Sequence, residues 1–426
     1  MYLKNLFLAF FVLSASATIA QEFSLGADLR QRFEYRHGFN NLFPDDADPT
    51  AFIRQRARLN FEYSAEKLKV FIAVQDISTW GDTRQILPQD GNDSFMLFQA
   101  WASLRIDENW STKLGRQVLS YDDQRIFGGL DWAMQGRFHD AALLKYVKNG
   151  LKADLGFAYS NQGEPQLNSL YSVNGFFSYK TMQFVHINKK WNKSSVSLLL
   201  LNNGFQKSET TDGVTVPDGL YNRQTAGTYF KFPLGKVNLA GSAYYQFGDA
   251  NAAEQSLSAC QASIEATYKP GSCLYGLGFE ALSGTDQGST GDNNSFFPLY
   301  GTNHKFNGFM DYFYVGNHAN NVGLNDLYAK TVIKTGTTST LLLKAHYFSA
   351  NAALANDADS YLGTEVDVVF TQPLFKNVKL NLGYSQMFAS DSMSLIKGGR
   401  ASDNTNNWGW AMLVINPNLF SKKLEQ

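Results

Sequence analysis

Residues Leu114–Tyr146, LGRQVLSYDDQRIFGGLDWAMQGRFHDAALLKY, decide how the rest of the chain is interpreted. The two ends of this stretch look like strands, whereas its middle mixes charged and aromatic side chains with glycines that allow unusual backbone turns. The charged and aromatic members include Tyr121, Asp122, Asp123, Arg125, Phe127, Asp131, Trp132 and Arg137. Because such a connection can pack on itself through charge pairs, we predict that residues Tyr121–Gly136 fold inward and fill an enclosed space.

The chain on both sides alternates apolar and polar residues with the period of a β-strand. Within residues 24–35, Leu25, Ala27, Leu29, Phe33 and Tyr35 oppose Asp28, Arg30, Arg32 and Glu34. Within residues 52–63, the side that faces away from the apolar residues carries Arg54, Arg56 and Arg58. Long amphipathic strands of this kind suit lipid on one face and water on the other. After residue 20, no apolar run approaches the ~18 residues that a spanning helix needs.

Turn lengths predict the topology. Short breaks lie at residues 64–66, 107–109, 148–150, 191–193, 233–236, 269–272, 335–337 and 372–376, each between two alternating runs. Longer polar stretches, interpreted as exterior loops, are Gly204–Leu220, Gly284–Gly323 and Ala389–Asn404. Eight hairpins plus one strand at each end give an all-β, transmembrane antiparallel β-barrel of about 18 strands, with short turns toward the periplasm. Phe306–Val315 also resembles a strand, but we assign it to a loop because an even strand number is expected.

Composition indicates one continuous architecture. No linker divides the chain, and the aromatic content of 14% is typical of a barrel with aromatic girdles at two membrane interfaces. Residues 1–20 have one lysine, a short apolar core and small residues, which predicts a signal peptide followed by a single barrel domain, residues 21–426. The near-neutral net charge of -1 offers no overall attraction to nucleic acid.

The motifs LGRQ, SYDDQR, GG.DW and GR.HD.A resemble, in this order, the alginate export family of outer-membrane β-barrel proteins. PLYGTNHKFNGFMDYFY and GLNDLY, near residues 298–328, resemble the same family. The resemblance implies a monomeric channel in bacterial outer-membrane lipid that passively conducts an anionic sugar solute, an alginate-like polyuronate, without a cofactor. The direction of transport, the exact solute and its length, the oligomeric state and a periplasmic partner stay open. Whether the Tyr121–Gly136 loop plugs the pore or caps its extracellular mouth also stays open, with the plug as the prediction.

Arginines are concentrated early in the chain and suit a path for carboxylated sugars, because guanidinium groups stay charged and bind carboxylates in a fork. We expect a lumen path of Arg30, Arg32, Arg54, Arg56, Arg58, Arg116, Arg125 and Arg137, with a constriction at Asp122, Asp123, Asp131 and Trp132. Alternatively, these arginines pair with nearby acids only to stiffen the lumen. Strict alternation from Leu114 would point Arg116 at lipid, so either a bulge lies near Gly115 or the run has passed the membrane edge.

Later strands predict the opposite charge, because Glu280, Glu365 and Asp367 fall on their inward faces. The arginines therefore predict an anion-selective channel, and the acids of opposite sign on later strands predict an electric field across its lumen. A general or small-organic-acid porin is the alternative function, and an outer-membrane enzyme is a further one. The six histidines are scattered, and we find no G-x-S-x-G or H-E-x-x-H motif and no metal-ligand spacing, so we expect neither catalysis nor a metal.

Overall fold

The computed structural model describes residues 21–86, 94–167, 170–171, 178–314, 318 and 321–424. These residues form a closed antiparallel barrel of 18 strands with one extra strand outside the ring, as predicted for the fold class and strand number. The predicted signal peptide, residues 1–20, lies outside the described residues. Among the described residues, no helix is both long and apolar enough to cross a membrane.

The ring closes because the first strand pairs with both the second and the eighteenth. The strands are β1 (Gln21–His37), β2 (Thr50–Ser64), β3 (Leu68–Thr79), β4 (Met96–Arg105), β5 (Trp110–Gln117), β6 (His139–Lys148), β7 (Leu151–Tyr159), β8 (Thr181–Trp191), β9 (Ser194–Thr211), β10 (Val214–Leu234), β11 (Val237–Asp249), β12 (Ser256–Tyr268), β13 (Cys273–Leu282), β14 (Leu324–Lys334), β15 (Thr340–Ser349), β16 (Tyr361–Phe375), β17 (Val378–Ala389), β18 (Asn406–Ile415) and β19 (Asn418–Leu424). Short helical turns lie at Asn303–Lys305, Ala355–Asp357 and Asp391–Ile396.

The predicted short turns all join paired neighbouring strands, from β2–β3 to β16–β17. Residues 306–314 are not in a strand, so their assignment to a loop is confirmed. The extra strand β19 continues along β1 beyond Pro417, whose carbonyl accepts a hydrogen bond from the Ala27 N–H over 3.0 Å. Proline lacks an N–H group, and the pairing register shifts beside it, between Leu25 and Gly26.

The prediction that Gly204–Leu220 forms a loop is wrong. β9 and β10 continue as a hairpin through this region, and their last pair is Thr211 with Val214. The turn uses Asp212 and Gly213, which have positive φ angles of 53° and 76°. β-branched residues on both arms favour the extended conformation, and this explains why a polar stretch still forms strands.

Two connections lie inside the barrel. The first inward segment, residues 118–138, joins β5 to β6, and the second inward segment, residues 295–314, belongs to the connection between β13 and β14. Phe127 and Tyr300 form a parallel bridge between the segments, and their rings stack at 5.5 Å. The inward fold of Tyr121–Gly136 is thereby confirmed. The exterior placement of the Gly284–Gly323 stretch is wrong for residues 295–314, which lie inside the barrel. Of these residues, Leu299, Tyr300 and Tyr312 are almost fully buried, so their apolar surface is removed from water.

Candidate functional site: the lumen and its inward segments

One side of the lumen carries an arginine wall, defined as Arg30, Arg32 and Arg36 on β1 with Arg54, Arg56 and Arg58 on β2. The strand register places Arg30 opposite Arg56 and Arg32 opposite Arg54. Like charges directly opposite each other on neighbouring strands are destabilising unless counter-charges lie between them. The wall therefore requires carboxylates close to its guanidinium groups.

Two of these carboxylates come from β1 itself. Asp28 contacts Arg30 at 3.2 Å and also binds the Nη2 group of Arg56. Glu34 binds Arg32 and Arg36, each at 2.8 Å, and accepts a hydrogen bond from the Trp408 indole at 3.2 Å. The hypothesis that the arginines partly stiffen the lumen thus agrees with these contacts.

A third carboxylate, Asp131, comes from the first inward segment. Arg30 Nη2 donates to Asp131 Oδ2 over 2.6 Å, and Arg56 Nη1 donates to Asp131 Oδ1 over 3.2 Å. Arg58 lies 4.0 Å from the same carboxylate. Burial raises the pKa of Asp131, but the positive charges of Arg30 and Arg56 lower it further, so the pKa lies below its ordinary value. Even so, the Asp131 side chain is 62% exposed to water.

The remaining members of the wall differ in their partners. Arg58 Nε donates to Gln75 Oε1 over 2.8 Å, and its guanidinium lies 3.8 Å from the centre of the Phe98 ring. Within the described part of the chain, Arg54 has no ion-pair partner within 4.0 Å. The wall places six guanidinium groups against the carboxylates of Asp28, Glu34 and Asp131, so it keeps a positive excess.

Further round the ring, β13 to β16 carry an acidic wall, defined as Glu280 on β13, Asp326 on β14, and Glu365 and Asp367 on β16. Arg125 of the first inward segment binds Glu280 through two contacts, Nε to Oε1 at 2.8 Å and Nη2 to Oε2 at 3.0 Å. The two side chains are 1% and 6% exposed. The Nη2 contact is a buried hydrogen bond between two charged groups, and such bonds are stronger than those between neutral groups.

The second inward segment also binds the acidic wall. Asn307 Nδ2 donates to Glu280 Oε2 over 2.9 Å and to Asp326 Oδ2 over 3.2 Å. The backbone N–H of Met310 donates to Glu365 Oε1 over 2.8 Å. His346 contacts Asp326 at 2.7 Å, so a ring nitrogen also contributes to this network.

A third side of the lumen holds the beginning of the first inward segment. The Tyr121 hydroxyl donates to Asp154 on β7 over 2.8 Å, and Asp122 contacts His186 on β8 at 3.0 Å. Burial raises the pKa of Asp123, whose carbonyl accepts a hydrogen bond from Lys305 Nζ over 2.7 Å. The segment is therefore attached to three sides of the barrel.

Trp132 and Arg137 attach the end of the segment. The Arg32 guanidinium lies 4.3 Å from the centre of the Trp132 ring, and His304 stacks on that ring at 4.5 Å with an interplanar angle of 9°. Since two groups cannot share one face at these distances, both faces of the indole are covered. Arg137 Nη1 donates to the carbonyl of Gly301 over 3.0 Å, which joins the two inward segments.

The prediction that Arg116 lines the lumen is wrong. Arg116 pairs with Asp140 across β5 and β6, and the next pair is Gln117 with His139. His139 is buried against Tyr179 in the interior, and alternation then directs Arg116 and Asp140 outward. The register of β5 with both neighbours is continuous, so no bulge turns Arg116 inward. Their ion pair, at 2.9 Å, lies on the outer face near the C-terminal end of β5.

Two cavities remain between the first inward segment and the short turns. One has a volume of ≈ 440 Å³ and the other ≈ 330 Å³, and Lys231 borders both. The larger cavity is also lined by Tyr121, Lys145, Lys152 and Asp154, and the smaller one by Asp123, Glu265, Lys305 and Lys344. Among the described residues, Lys152 and Lys231 have no ion-pair partner within 4.0 Å. The part of the lumen between the segment and the short turns thus contains lysine side chains that a solute can reach.

Solved outer-membrane porins have the same architecture. A BenF-like porin from Pseudomonas fluorescens Pf-5 matches with a TM-score of 0.62 at 15% identity, covering 93% of this chain and 99% of that chain. OccAB4 of Acinetobacter baumannii matches with a TM-score of 0.59 at 14% identity, covering 96% and 100%. The outer membrane protein opdK of Pseudomonas aeruginosa gives 0.59 at 12% identity, covering 94% and 99%. No curated protein sequence matches the chain.

The closed ring and its inward segments define a class of protein: this chain is a channel of porin fold in the bacterial outer membrane. Within that class, the model of the alginate export family matches residues 21–163. The resemblance predicted from LGRQ and SYDDQR is therefore confirmed for this part of the chain. The matched part contains the arginine wall and the first inward segment.

Sequence reasoning missed several residues of the lumen. Asp154, His186 and Asp326 each bind an inward segment or its partners, yet none was singled out. Their signal is weak but present, because each is a polar residue on the buried face of a strand whose other face is apolar. Asn307 carries no such signal, since it lies in irregular structure with a positive φ of 58°.

Proposed function

We propose that this channel conducts solutes that carry carboxylate groups, with uronate oligomers as the first class to consider. One observation carries the proposal: the arginine wall already binds a carboxylate, that of Asp131, through Arg30 and Arg56. A site that binds one carboxylate in this geometry suits another. Transport of this kind needs neither a cofactor nor catalysis, and the solute moves down its own gradient.

The positive excess of the wall supports anion selectivity. Two unit charges ~7 Å apart interact by roughly 2 kcal/mol at an effective dielectric of 20. Arg54, with no ion-pair partner among the described residues, is the side chain best suited to contribute this field. The lysines around the two lower cavities would extend the attraction toward the periplasmic side.

Small organic acids are the second candidate solutes. The cavities of ≈ 330 and ≈ 440 Å³ are within the range of small-molecule sites and are too small for a long polymer. One similar solved structure is that of Pseudomonas aeruginosa OpdK with vanillate. It matches with a TM-score of 0.57 at 13% identity, covering 93% of this chain and 99% of that chain. The family match over residues 21–163 instead favours the polyuronate, whose passage would require the inward segments to move.

The test is the reversal potential of the channel in planar bilayers under a KCl gradient, with uronate fragments and small carboxylic acids added as blockers. We expect anion selectivity that high salt reduces, because salt screens the wall. Replacing Arg54 with Gln should lower the selectivity, and replacing Arg54, Arg56 and Arg58 together should lower it more. Arg116→Gln, on the outer face, is the matched control and should leave the potential unchanged. Cation selectivity of the unmutated channel would contradict the proposal.

A further inference from the structure

Asp131 occupies the place in the arginine wall where the carboxylate of a solute would bind. Arg30 contacts it twice, through Nη2 to Oδ2 at 2.6 Å and through Nη1 to the Asp131 carbonyl at 2.8 Å. Arg56 contributes Nη1 to Oδ1 at 3.2 Å, and the same Nη1 donates to the Met134 carbonyl at 3.2 Å. The guanidinium groups are thus already oriented toward a carboxylate that belongs to the protein.

The two ends of the first inward segment differ in how easily water reaches their ion pairs. The Asp131 side chain is 62% exposed, although its partners Arg30 and Arg56 are 13% and 0% exposed. At the acidic wall both members of the pair are buried, since Arg125 and Glu280 are 1% and 6% exposed. Water and a second anion can therefore reach the Asp131 carboxylate from the lumen, on the side that its two guanidinium partners do not cover. Removing one partner from the second pair would leave a buried charge uncompensated. The contact of the Asp131 carboxylate with the arginine wall is therefore the one in which a solute carboxylate can take the place of the protein's own.

We propose that Asp131 is a specificity-determining residue, an internal occupant of the arginine wall that the carboxylate of a passing solute replaces. Arg125 at the acidic wall and Trp132 beside Arg32 keep the segment in place while the Asp131 carboxylate alone is displaced. The inference rests on the proposed function, since it takes the solute to be carboxylated. A carboxylate can accept from Arg30 and Arg56 together, as Asp131 does, whereas a neutral sugar has no charge to compete with Asp131.

Competition from Asp131 lowers the apparent affinity of the wall for every external carboxylate. A site that is free a tenth of the time shows an apparent dissociation constant about tenfold higher than its intrinsic value. Asp131→Asn keeps the size of the side chain and removes its charge, so the wall becomes available. Asp131→Glu restores a carboxylate, and with it the competition. Asp140→Asn, which breaks the outer pair with Arg116, is the matched control.

The experiment measures the concentration of digalacturonate that half-blocks single channels in planar bilayers, for the unmutated protein and these three variants. Heat-modifiable migration on unboiled gels first establishes that each variant is a folded barrel. We expect Asp131→Asn to lower the half-blocking concentration about tenfold. Asp131→Glu and Asp140→Asn should stay near the unmutated value, and a neutral disaccharide should not distinguish the variants.

Two results would overturn the inference in different ways. If digalacturonate blocks every variant with the same half-blocking concentration, or blocks Asp131→Asn less well, then Asp131 is not a competitor and the proposed function still stands. If digalacturonate blocks neither the unmutated channel nor Asp131→Asn, then the wall does not bind solute carboxylates, and the proposed function fails together with the inference.

Discussion

The arginine wall and the acidic wall face the same lumen, yet they hold the first inward segment in different ways. On the arginine wall, the contact is Asp131, whose side chain is 62% exposed and is shared between Arg30 and Arg56. On the acidic wall, the contact is the ion pair of Arg125 and Glu280, whose side chains are at most 6% exposed. The segment thus presents to each wall a charge of opposite sign. Its Arg125 side chain is buried from water, whereas its Asp131 side chain is not.

This difference separates stability from selectivity. A buried ion pair in low dielectric cannot lose one member without leaving a charge that has neither water nor a counter-charge. A carboxylate that is itself open to water exchanges its partners at lower cost, even where those partners, as Arg30 and Arg56, are only 13% and 0% exposed. We therefore expect changes at the Arg125 end to affect folding and changes at the Asp131 end to affect what passes through the channel.

The largest effect should come from breaking the buried end. Replacing Arg125 with Gln leaves Glu280 charged and buried, with Asn307 and Gln261 as its remaining hydrogen-bond donors. The expected loss is ~3–5 kcal/mol in the free energy of unfolding. Urea unfolding of the barrel in lipid vesicles measures it.

Arg116→Gln supplies the comparison for that measurement. It removes an arginine from an ion pair of similar length, 2.9 Å, but on the outer face, where the Asp140 side chain is 57% exposed. The expected loss is below ~1 kcal/mol. Equal losses for Arg116→Gln and Arg125→Gln would contradict the distinction between buried and exposed contacts.

An intermediate effect is expected on conductance when the segment itself is removed. Deleting Asp123–Ala133 takes away three of the residues that hold the segment in place, Arg125, Asp131 and Trp132, and opens space in the lumen. Single-channel conductance in planar bilayers should rise. Deleting residues 211–214, at the tip of the β9–β10 hairpin, is the control and should not change it. An unchanged conductance after the first deletion would mean that this segment does not limit the flow.

Much of the barrel is predictable because a strand with lipid on one face must alternate its residues. Ile53, Ala57 and Leu59 face out while Arg54, Arg56 and Arg58 face in, as the alternation requires. Short turns follow from the same pattern, since they interrupt it. The inward fold of the first segment was predictable from its balanced charges and glycines.

The second inward segment shows that the alternation of apolar and polar residues does not predict where an irregular connection lies. Nothing in the period of residues 295–314 tells whether they lie inside or above the barrel, because an irregular segment has no repeating face. Its burial depends on partners distant in sequence, such as Phe127 stacked on Tyr300 and Glu365 bound to Met310. Arg116 was misplaced for a related reason. Near a strand end, a charged residue can face outward because the apolar band has ended.

The smallest expected effect concerns pH, and it distinguishes two acids of the same segment. Asp131 has a pKa below its ordinary 3.8 because the charges of Arg30 and Arg56 outweigh burial. Its ionised form therefore stabilises the folded state, with full effect above pH 3.8, and this stabilisation is lost as the pH falls through the lower folded value. Asp123 has the opposite shift, since burial raises its pKa above 3.8. Ionised Asp123 therefore costs stability at neutral pH, and acid relieves that cost.

Urea unfolding of the unmutated protein, Asp131→Asn and Asp123→Asn at pH 7, 5 and 3 measures these contributions as differences from the unmutated protein. Asp131→Asn should destabilise by less than ~1 kcal/mol at pH 7 and 5, since the side chain is largely exposed, and by still less at pH 3. Asp123→Asn should stabilise at pH 7, with a gain that shrinks toward pH 3. If both variants change stability in the same direction at pH 7, the two acids do not differ in the way that their surroundings indicate, and the exposed and enclosed parts of the segment are energetically alike.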